Sequence, residues 1–188
     1  SIAKPQSDLT QLDLAIEMIS AAQRPVIIAG GDIWQNRAEL EFRALVAQIG
    51  IPVIVNGMAR GILNPANPLL VTPARSYALK NADLVIVAGT PLDFRLGYGD
   101  FGDAHVIFIS DDPRTSPLAQ AIRITGDLPD LMSTIATCLS KPVGTQSWKD
   151  DLAQRSSAVR LSNSKLMATR QEMIHPAQIY GELIPRLT

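Results

Sequence analysis

An open parallel α/β sheet flanked by helices, with a helical tail after it, is the fold class this sequence predicts. Three observations carry that expectation. Short apolar runs such as residues 25–29 and 83–88 lack polar alternation, as strands covered on both faces do. Segments with helical apolar spacing separate these runs, too long for hairpin turns, so parallel strands with right-handed crossovers follow. Beyond Pro142 the chain becomes small, polar and charged, with too few apolar residues for a second core.

The elements follow in order. A first helix is expected over residues 9–22, where Leu12, Ala15, Ile16, Ile19 and Ala22 share one face and Ser7 or Asp8 is placed to cap it. Residues 25–29 form a strand ending at Gly30-Gly31. Phe42, Leu45, Val46 and Ile49 mark a second helix that Gly50 ends. Residues 51–55 form the next strand, with Pro52 near its start, where a missing donor is least harmful. Asn56 to Gly61 is loop, and Asn64-Pro65 with Asn67-Pro68 extends it. Thr72 and Pro73 read as the cap and first residue of a helix through Asn81. Residues 83–88 make the clearest strand, closed by Gly89-Thr90-Pro91. Residues 105–109 make another, closed by Ser110-Asp111-Asp112-Pro113, and residues 121–124 a short one before Gly126-Asp127. Asp127 caps a helix whose inner face is Leu128, Leu131, Met132, Ile135 and Leu139. The compact domain is residues 1–141. In the tail, residues 142–188, Trp148 to Met173 reads as helix or extended linker, and a separate helix over residues 175–187 has Tyr180 and Leu183 as its anchors. Trp148 and Tyr180 have few apolar neighbours in sequence, so the tail is expected to be poorly anchored or packed on a neighbouring chain.

Composition sets the limits. The 188 residues are 46% hydrophobic and 19% charged, enough for one substantial core and outside the disordered class. Seventeen basic against eighteen acidic side chains leave no footprint for nucleic acid or an anionic membrane. No apolar run approaches the ~20 residues of a membrane-spanning helix, residues 1–7 lack the apolar centre of a signal peptide, and a cytoplasmic location is expected. Cys138 is the sole cysteine, so no disulfide framework or thiolate cluster exists. Its place in an apolar helical pattern predicts a buried small hydrophobe. His105 and His175 are too far apart for a local metal or triad motif and are read as structural.

In an open parallel sheet, ligands sit beyond the carboxyl ends of the strands. Gly30-Gly31 before a helix can bring backbone donors to an anion, yet no G-x-G-x-x-G is present, and a tight turn needing glycine for backbone reasons explains the pair equally well. The loop Gly89-Thr90-Pro91-Leu92-Asp93-Phe94-Arg95-Leu96-Gly97-Tyr98-Gly99 says more. It places Arg95, a bidentate phosphate donor, beside an aromatic surface; the alternative is an internal Asp93–Arg95 pair that fixes the loop. Arg60 and Arg75 lie in segments that can approach the same cleft.

Taken together these segments resemble the central domain of thiamine-diphosphate enzymes of the acetohydroxyacid synthase and benzaldehyde lyase type. The words that carry the resemblance are Arg24-Pro25-Val26-Ile27-Ile28-Ala29-Gly30-Gly31, Gly57-Met58-Ala59-Arg60-Gly61, Asn67-Pro68-Leu69, Ala74-Arg75-Ser76-Tyr77-Ala78-Leu79, the Gly89–Gly99 loop and Gly126-Asp127. Asp93-Phe94-Arg95-Leu96 with its trailing glycines looks most like the acetolactate-synthase-like branch, which includes 2-hydroxyacyl-CoA lyase relatives. The resemblance spans about residues 9–140 and implies a Rossmann-like sheet. It also implies a longer parent with an N-terminal pyrimidine-binding and a C-terminal diphosphate-binding domain. His175-Pro176-Ala177-Gln178-Ile179-Tyr180-Gly181-Glu182-Leu183 is similar to the opening helix of the latter.

In such enzymes a glutamate of the first domain and a Gly-Asp-Gly motif of the third serve thiamine diphosphate and Mg²⁺. Here Gly-Asp occurs four times and is never followed by Gly. The resemblance therefore implies that no catalytic residue and no metal ligand lies on this chain, which is expected to be inactive alone. The parent is expected to act, as a homo-oligomer, on a 2-oxo acid such as pyruvate or on an acyl substrate. Central domains of the family hold FAD, hold ADP, or leave the cleft empty. The contacts would map onto Gly30, Gly31, Gly89, Thr90, Asp93, Arg95, Ser110, Asp111 and Asp127. Flavin-binding members carry Arg where Pro91 stands and an acid where Ser110 stands, so both departures argue against tight FAD. A stand-alone Rossmann-like nucleotide-binding or regulatory module without catalysis is the other reading.

Overall fold

A computed structural model describes residues 7–112, 120–168 and 175–187. Five strands, β1 (Pro25–Ala29), β2 (Val53–Val55), β3 (Leu84–Ala88), β4 (His105–Ser110) and β5 (Ile122–Thr125), form one wholly parallel sheet in the order β2-β1-β3-β4-β5. The helices are α1 (Leu12–Ala21), α2 (Gly31–Gln35), α3 (Glu39–Ile49), α4 (Arg75–Asn81), α5 (Leu128–Cys138), α6 (Gln146–Ala168) and α7 (Pro176–Leu183).

Alternation along each strand splits the core in two, because successive side chains face opposite sides. Ile27, Val53, Ile86, Ile107 and Ile124 face α1, α3 and α5, meeting Ile19, Phe42, Leu45, Ile49 and Ile135. Val26, Ile28, Ile54, Val85, Val87 and Phe108 face the other side, under Ala74 and Ala78 of the α4 segment and Trp148 and Leu152 of α6. Both edges are closed by single bridges, Leu70 beside Val53 and Asp8 beside Thr125, which leaves little open edge for pairing with another chain.

Several local expectations are refined. The first helix begins at Leu12 because the Asp8 carboxylate is spent on the Thr10 amide and hydroxyl, at 3.1 and 2.7 Å. Gly50 ends α3 in the left-handed region at φ 64°. Thr72 is not a helix cap: its hydroxyl accepts the Val55 amide at 3.0 Å, and a 3-10 turn over Thr72–Ala74 precedes α4. Cys138 is exposed rather than buried, since α5 ends there and Leu139, just past the helix, takes the last buried position of its stripe. His175 caps α7 through Nδ1, with Gln178 completing a reciprocal pair.

The tail differs most. The Val143 amide donates to Ile49 and the Thr145 amide to Gln23. Trp148 is 4% exposed and donates through Nε1 to the Pro25 carbonyl at 3.0 Å, and Leu152 is fully buried. The packed core thus extends past Lys141 to the second turn of α6, because small residues on α4 leave the second sheet face to be covered by Trp148 and Leu152. Further along, Val159, Leu161, Tyr180 and Leu183 are exposed. Residues 169–173 of the expected helix or linker lie outside the described residues.

Among the described residues two buried side-chain oxygens lack a hydrogen-bond partner, Glu41 Oε2 and the Ser156 hydroxyl. The latter lies on α6. Ser156→Ala is therefore expected to stabilise the fold by about 1 kcal/mol, as removal of an unsatisfied buried hydroxyl does, read as a rise in the urea midpoint at unchanged slope.

Candidate functional site at the carboxyl edge

The strand order reverses direction between β1 and β3, and their carboxyl ends lie side by side, Ala29 opposite Ala88. This switch point is where a doubly wound sheet admits a ligand. Here it is tightly closed. A Cβ on Gly30 would lie 2.1 Å from the Gly89 carbonyl oxygen and from Thr90 Cβ. The Gly30 amide donates to Ala88 at 2.9 Å and the Asp32 amide to Gly89 at 3.0 Å. These donors are spent within the fold, and α2 is only five residues long. The geometry thus accounts for the glycine pair as a close backbone approach. Gly89 itself has φ +62°, and a Cβ there would press on Asp32 and Ile33 at 3.1 Å.

Thr90 is buried, and its hydroxyl accepts from Asn56 Nδ2 at 3.2 Å, joining the ends of β2 and β3. Ser110, 2% exposed, turns its hydroxyl onto its own loop, accepting the Asp112 amide at 3.0 Å and donating to the Asp112 carbonyl at 3.1 Å. The chain bends at Asp111, and its carboxylate accepts from Asn36 Nδ2 at 2.8 Å while the same amide group donates to the Asp32 carbonyl at 2.9 Å. Asn36 thereby ties the Asp111 carboxylate to the main chain at Asp32. Asp127 stands apart as the N-cap of α5, accepting the Asp130 amide at 3.3 Å.

The pairing of Asp93 with Arg95 is present. Arg95 Nε reaches Asp93 Oδ2 at 2.9 Å, and the Arg95 amide reaches Oδ1 at 2.9 Å. These bonds, chiefly the guanidinium's, hold the Asp93 carboxyl below the usual range, with the Arg75 charge adding to the effect. Arg95 also lies 5.8 Å from the Phe94 ring. Beside this loop, Arg75, Ser76, Lys80, Arg95, Gly97 and Gly102 line a separate cleft of about 350 Å³. It carries three cations, Arg75, Lys80 and the Asp93-paired Arg95, and one carboxylate, Asp100, on the α4 flank rather than over the switch point.

The structure thus brings Gly30, Gly31, Gly89, Thr90, Ser110 and Asp111 to one edge, places Asp93 and Arg95 on its α4 flank, and leaves Asp127 in a cap. Asn36, Asn56 and Lys80 were not among the residues picked from sequence. Lys80 stands five positions after Arg75, about 140° around a helix, so spacing alone gives no sign that the two line one cleft. The two asparagines have partners distant in sequence and left no local signal. Among the described residues, no three carboxylate, imidazole or thiol groups gather to hold a metal ion.

Asp32 is the strained member of the edge. Burial, and next the Asp111 charge, push its carboxyl above the ordinary value of 3.8. The folded state therefore holds that proton more tightly than the unfolded chain. Stability falls as pH rises from 3.8 through the raised folded value, and the penalty is complete above it. Asp32→Asn is expected to raise the thermal midpoint at pH 7, with the gain vanishing near pH 3, as scanning calorimetry at the two pH values will read.

Residues 12–135 match the family model described as thiamine pyrophosphate enzyme, central domain. The chain belongs to that family. It is 38% identical over 177 residues to the acetolactate synthase large subunit of Mycobacterium tuberculosis, covering 92% of this chain and 32% of that protein. Human 2-hydroxyacyl-CoA lyase 2 is 40% identical over 96 residues, covering 50% of this chain and 15% of that protein. Oxalyl-CoA decarboxylase of Escherichia coli K12 is 32% identical over 145 residues, covering 73% and 26%. A Mycobacterium smegmatis structure described as a thiamin diphosphate-dependent enzyme superposes with a TM-score of 0.61 at 21% identity, covering 76% of this chain and 30% of that one, which supports the fold. This chain spans about a third of the length of the acetolactate synthase relative. Among the described residues no helix is long and apolar enough to cross a membrane.

Proposed function

We propose that this thiamine pyrophosphate enzyme central domain belongs to a longer acetolactate-synthase-like protein that makes or cleaves a C–C bond next to a carbonyl. Its substrate is a 2-oxo acid such as pyruvate or an acyl compound. The observation that carries this reading is the match to an acetolactate synthase large subunit along 92% of the chain. Thiamine diphosphate supplies an electron sink in such chemistry, and the protein supplies orientation and electrostatics. The residues described here do not fit a magnesium–diphosphate site: they gather no metal-ligating cluster, and none of the four Gly-Asp pairs continues to Gly. No step is derived through that cofactor on this chain. Its role is that of a scaffold between the cofactor-bearing domains of a cytoplasmic homo-oligomer, with residues 142–188 leading into the last of them.

The α4-flank cleft is proposed to take the phosphates of an adenine nucleotide or a CoA ester weakly. Arg75, Lys80 and Arg95 supply the charge, and the Asp100 carboxylate in the same lining and the Asp93 partner of Arg95 keep the attraction modest. The closed switch point and the inward-turned Ser110 hydroxyl disfavour a flavin lying across the edge.

The test uses the natural reading frame in full. Purified full-length protein with thiamine diphosphate and Mg²⁺ is expected to turn over pyruvate or a 2-hydroxyacyl-CoA, while residues 1–188 alone show no turnover and no specific micromolar thiamine diphosphate site by calorimetry. Full-length protein inert toward both substrate classes, or a specific cofactor site on the isolated chain, contradicts the reading.

A further inference from the structure

The α4 segment has little of its own to hold it. Helix α4 has seven residues and no side-chain cap, too short to be stable by propensity alone. Its fully buried contacts with the sheet are made by Ala74, Ala78 and Ala82, all small, with Tyr77 and Leu79 only partly buried against the same cluster. At its far end Arg24 Nε donates to the Asn81 carbonyl at 2.8 Å. The outer side is held by α6. The Arg155 guanidinium lies 3.5 Å from the Tyr77 ring centroid and is itself steadied by Asp151 at 2.8 Å. The Tyr77 ring lies 6.3 Å from Trp148, which is bonded to Pro25. One turn beyond Arg155, Arg160 Nη2 donates to the Leu70 carbonyl at 2.8 Å, just before the 3-10 turn that leads into α4. Arg75 and Tyr77 are two positions apart, about 200° around a helix. Tyr77 therefore meets α6 while Arg75 lines the cationic cleft.

We infer that α6 acts as a tie that sets the position of Arg75, with Arg155 and Arg160 as positioning residues, so that α6 and the α7 packed on it are coupled to the cationic cleft. The coupling to ligand rests on the reading of that cleft as an anion site; the tie itself does not. Rotation of α4 about its axis is what the Tyr77 contact resists, and such rotation would swing Arg75 out of the cleft. Helix α7 packs close to the far end of α6, where a Cβ on Gly181 would lie 3.0 Å from the Met167 carbonyl oxygen. Displacement of α7 is thereby passed along the single helix α6, Gln146–Ala168, to the segment that bears the arginine.

Native-state amide exchange on the whole chain tests the tie. In the double variant Arg155→Ala, Arg160→Ala, exchange over residues 75–81 is expected to rise at least about tenfold, while β1 and β3 keep their protection. Arg155→Lys with Arg160→Lys, which preserves both charges, restores most of it. Unchanged exchange over residues 75–81, or acceleration spread equally across the sheet, overturns the inference. Titration with inorganic pyrophosphate separates the two claims. Arg75→Ala and the double alanine variant are both expected to weaken binding. A wild-type chain that ignores pyrophosphate, with the exchange pattern intact, removes the anion reading and leaves the tie standing.

Discussion

Gly30→Ala is expected to cost on the order of 3–5 kcal/mol, and so to leave little folded protein at 37 °C, since domains of this size are stable by only about 5–15 kcal/mol. The backbone angle is not the cause, because Gly30 has φ −116°, open to any residue. The cause is space. The added carbon would lie 2.1 Å from both the Gly89 carbonyl oxygen and Thr90 Cβ, far inside contact distance. Neither obstacle is the free end of a flexible side chain. To make room, β1 and β3 must part at their carboxyl ends, which strains the bonds from Gly30 to Ala88 and from Asp32 to Gly89. Interiors packed to crystal-like density absorb such shifts poorly. Gly31→Ala is the control: its Cβ would meet the Met58 Cβ at 3.3 Å, which asks a shift of only a few tenths of an ångström from an exposed residue. A urea midpoint for Gly30→Ala within about 0.3 M of the parent would show that β1 and β3 part at the switch point with little cost.

The contrast between these adjacent glycines marks what sequence can convey. The strands were legible because their cause is local: residues 84–88 are five consecutive buried apolar side chains, and a run with no polar member announces its burial. Gly50 and Asp127 were legible for the same reason, each serving a helix end within a few residues. The Asp93–Arg95 pair stood among the alternatives since its partners are two positions apart. Gly30 reads as a turn or an anion loop from its neighbours alone, and what decides between them is Thr90, brought to it by the sheet order. Asn56 with Thr90, and Asn36 with Asp111, are pairings of the same kind. Cys138 failed differently. Helical periodicity carries no mark of where a helix stops, and one residue past the stop the buried position passes to Leu139.

Trp148 carries the other large expected effect, and it too was obscured by distant partners. In sequence it is followed by Lys149-Asp150-Asp151 and then Gln154-Arg155-Ser156-Ser157, the picture of a solvated helix. In the fold its indole is 4% exposed, under Val26, Ile28 and Val85, with Tyr77 beside it. Trp148→Ala is expected to destabilise the domain by about 3–5 kcal/mol, the range for emptying a buried aromatic site. Trp148→Phe separates the contributions. It keeps most of the apolar volume but leaves the Pro25 carbonyl without its 3.0 Å partner, at a cost of about 1–3 kcal/mol. Tyr180, 63% exposed on α7, is the internal comparison: Tyr180→Ala should shift the urea midpoint within error, since nothing buried is uncovered. Equal effects at Trp148 and Tyr180 would mean that α6 does not close the second face of the sheet. The ordering Trp148→Ala, then Trp148→Phe, then Tyr180→Ala would place the first turns of α6 in the core and its outer half with α7 beyond it.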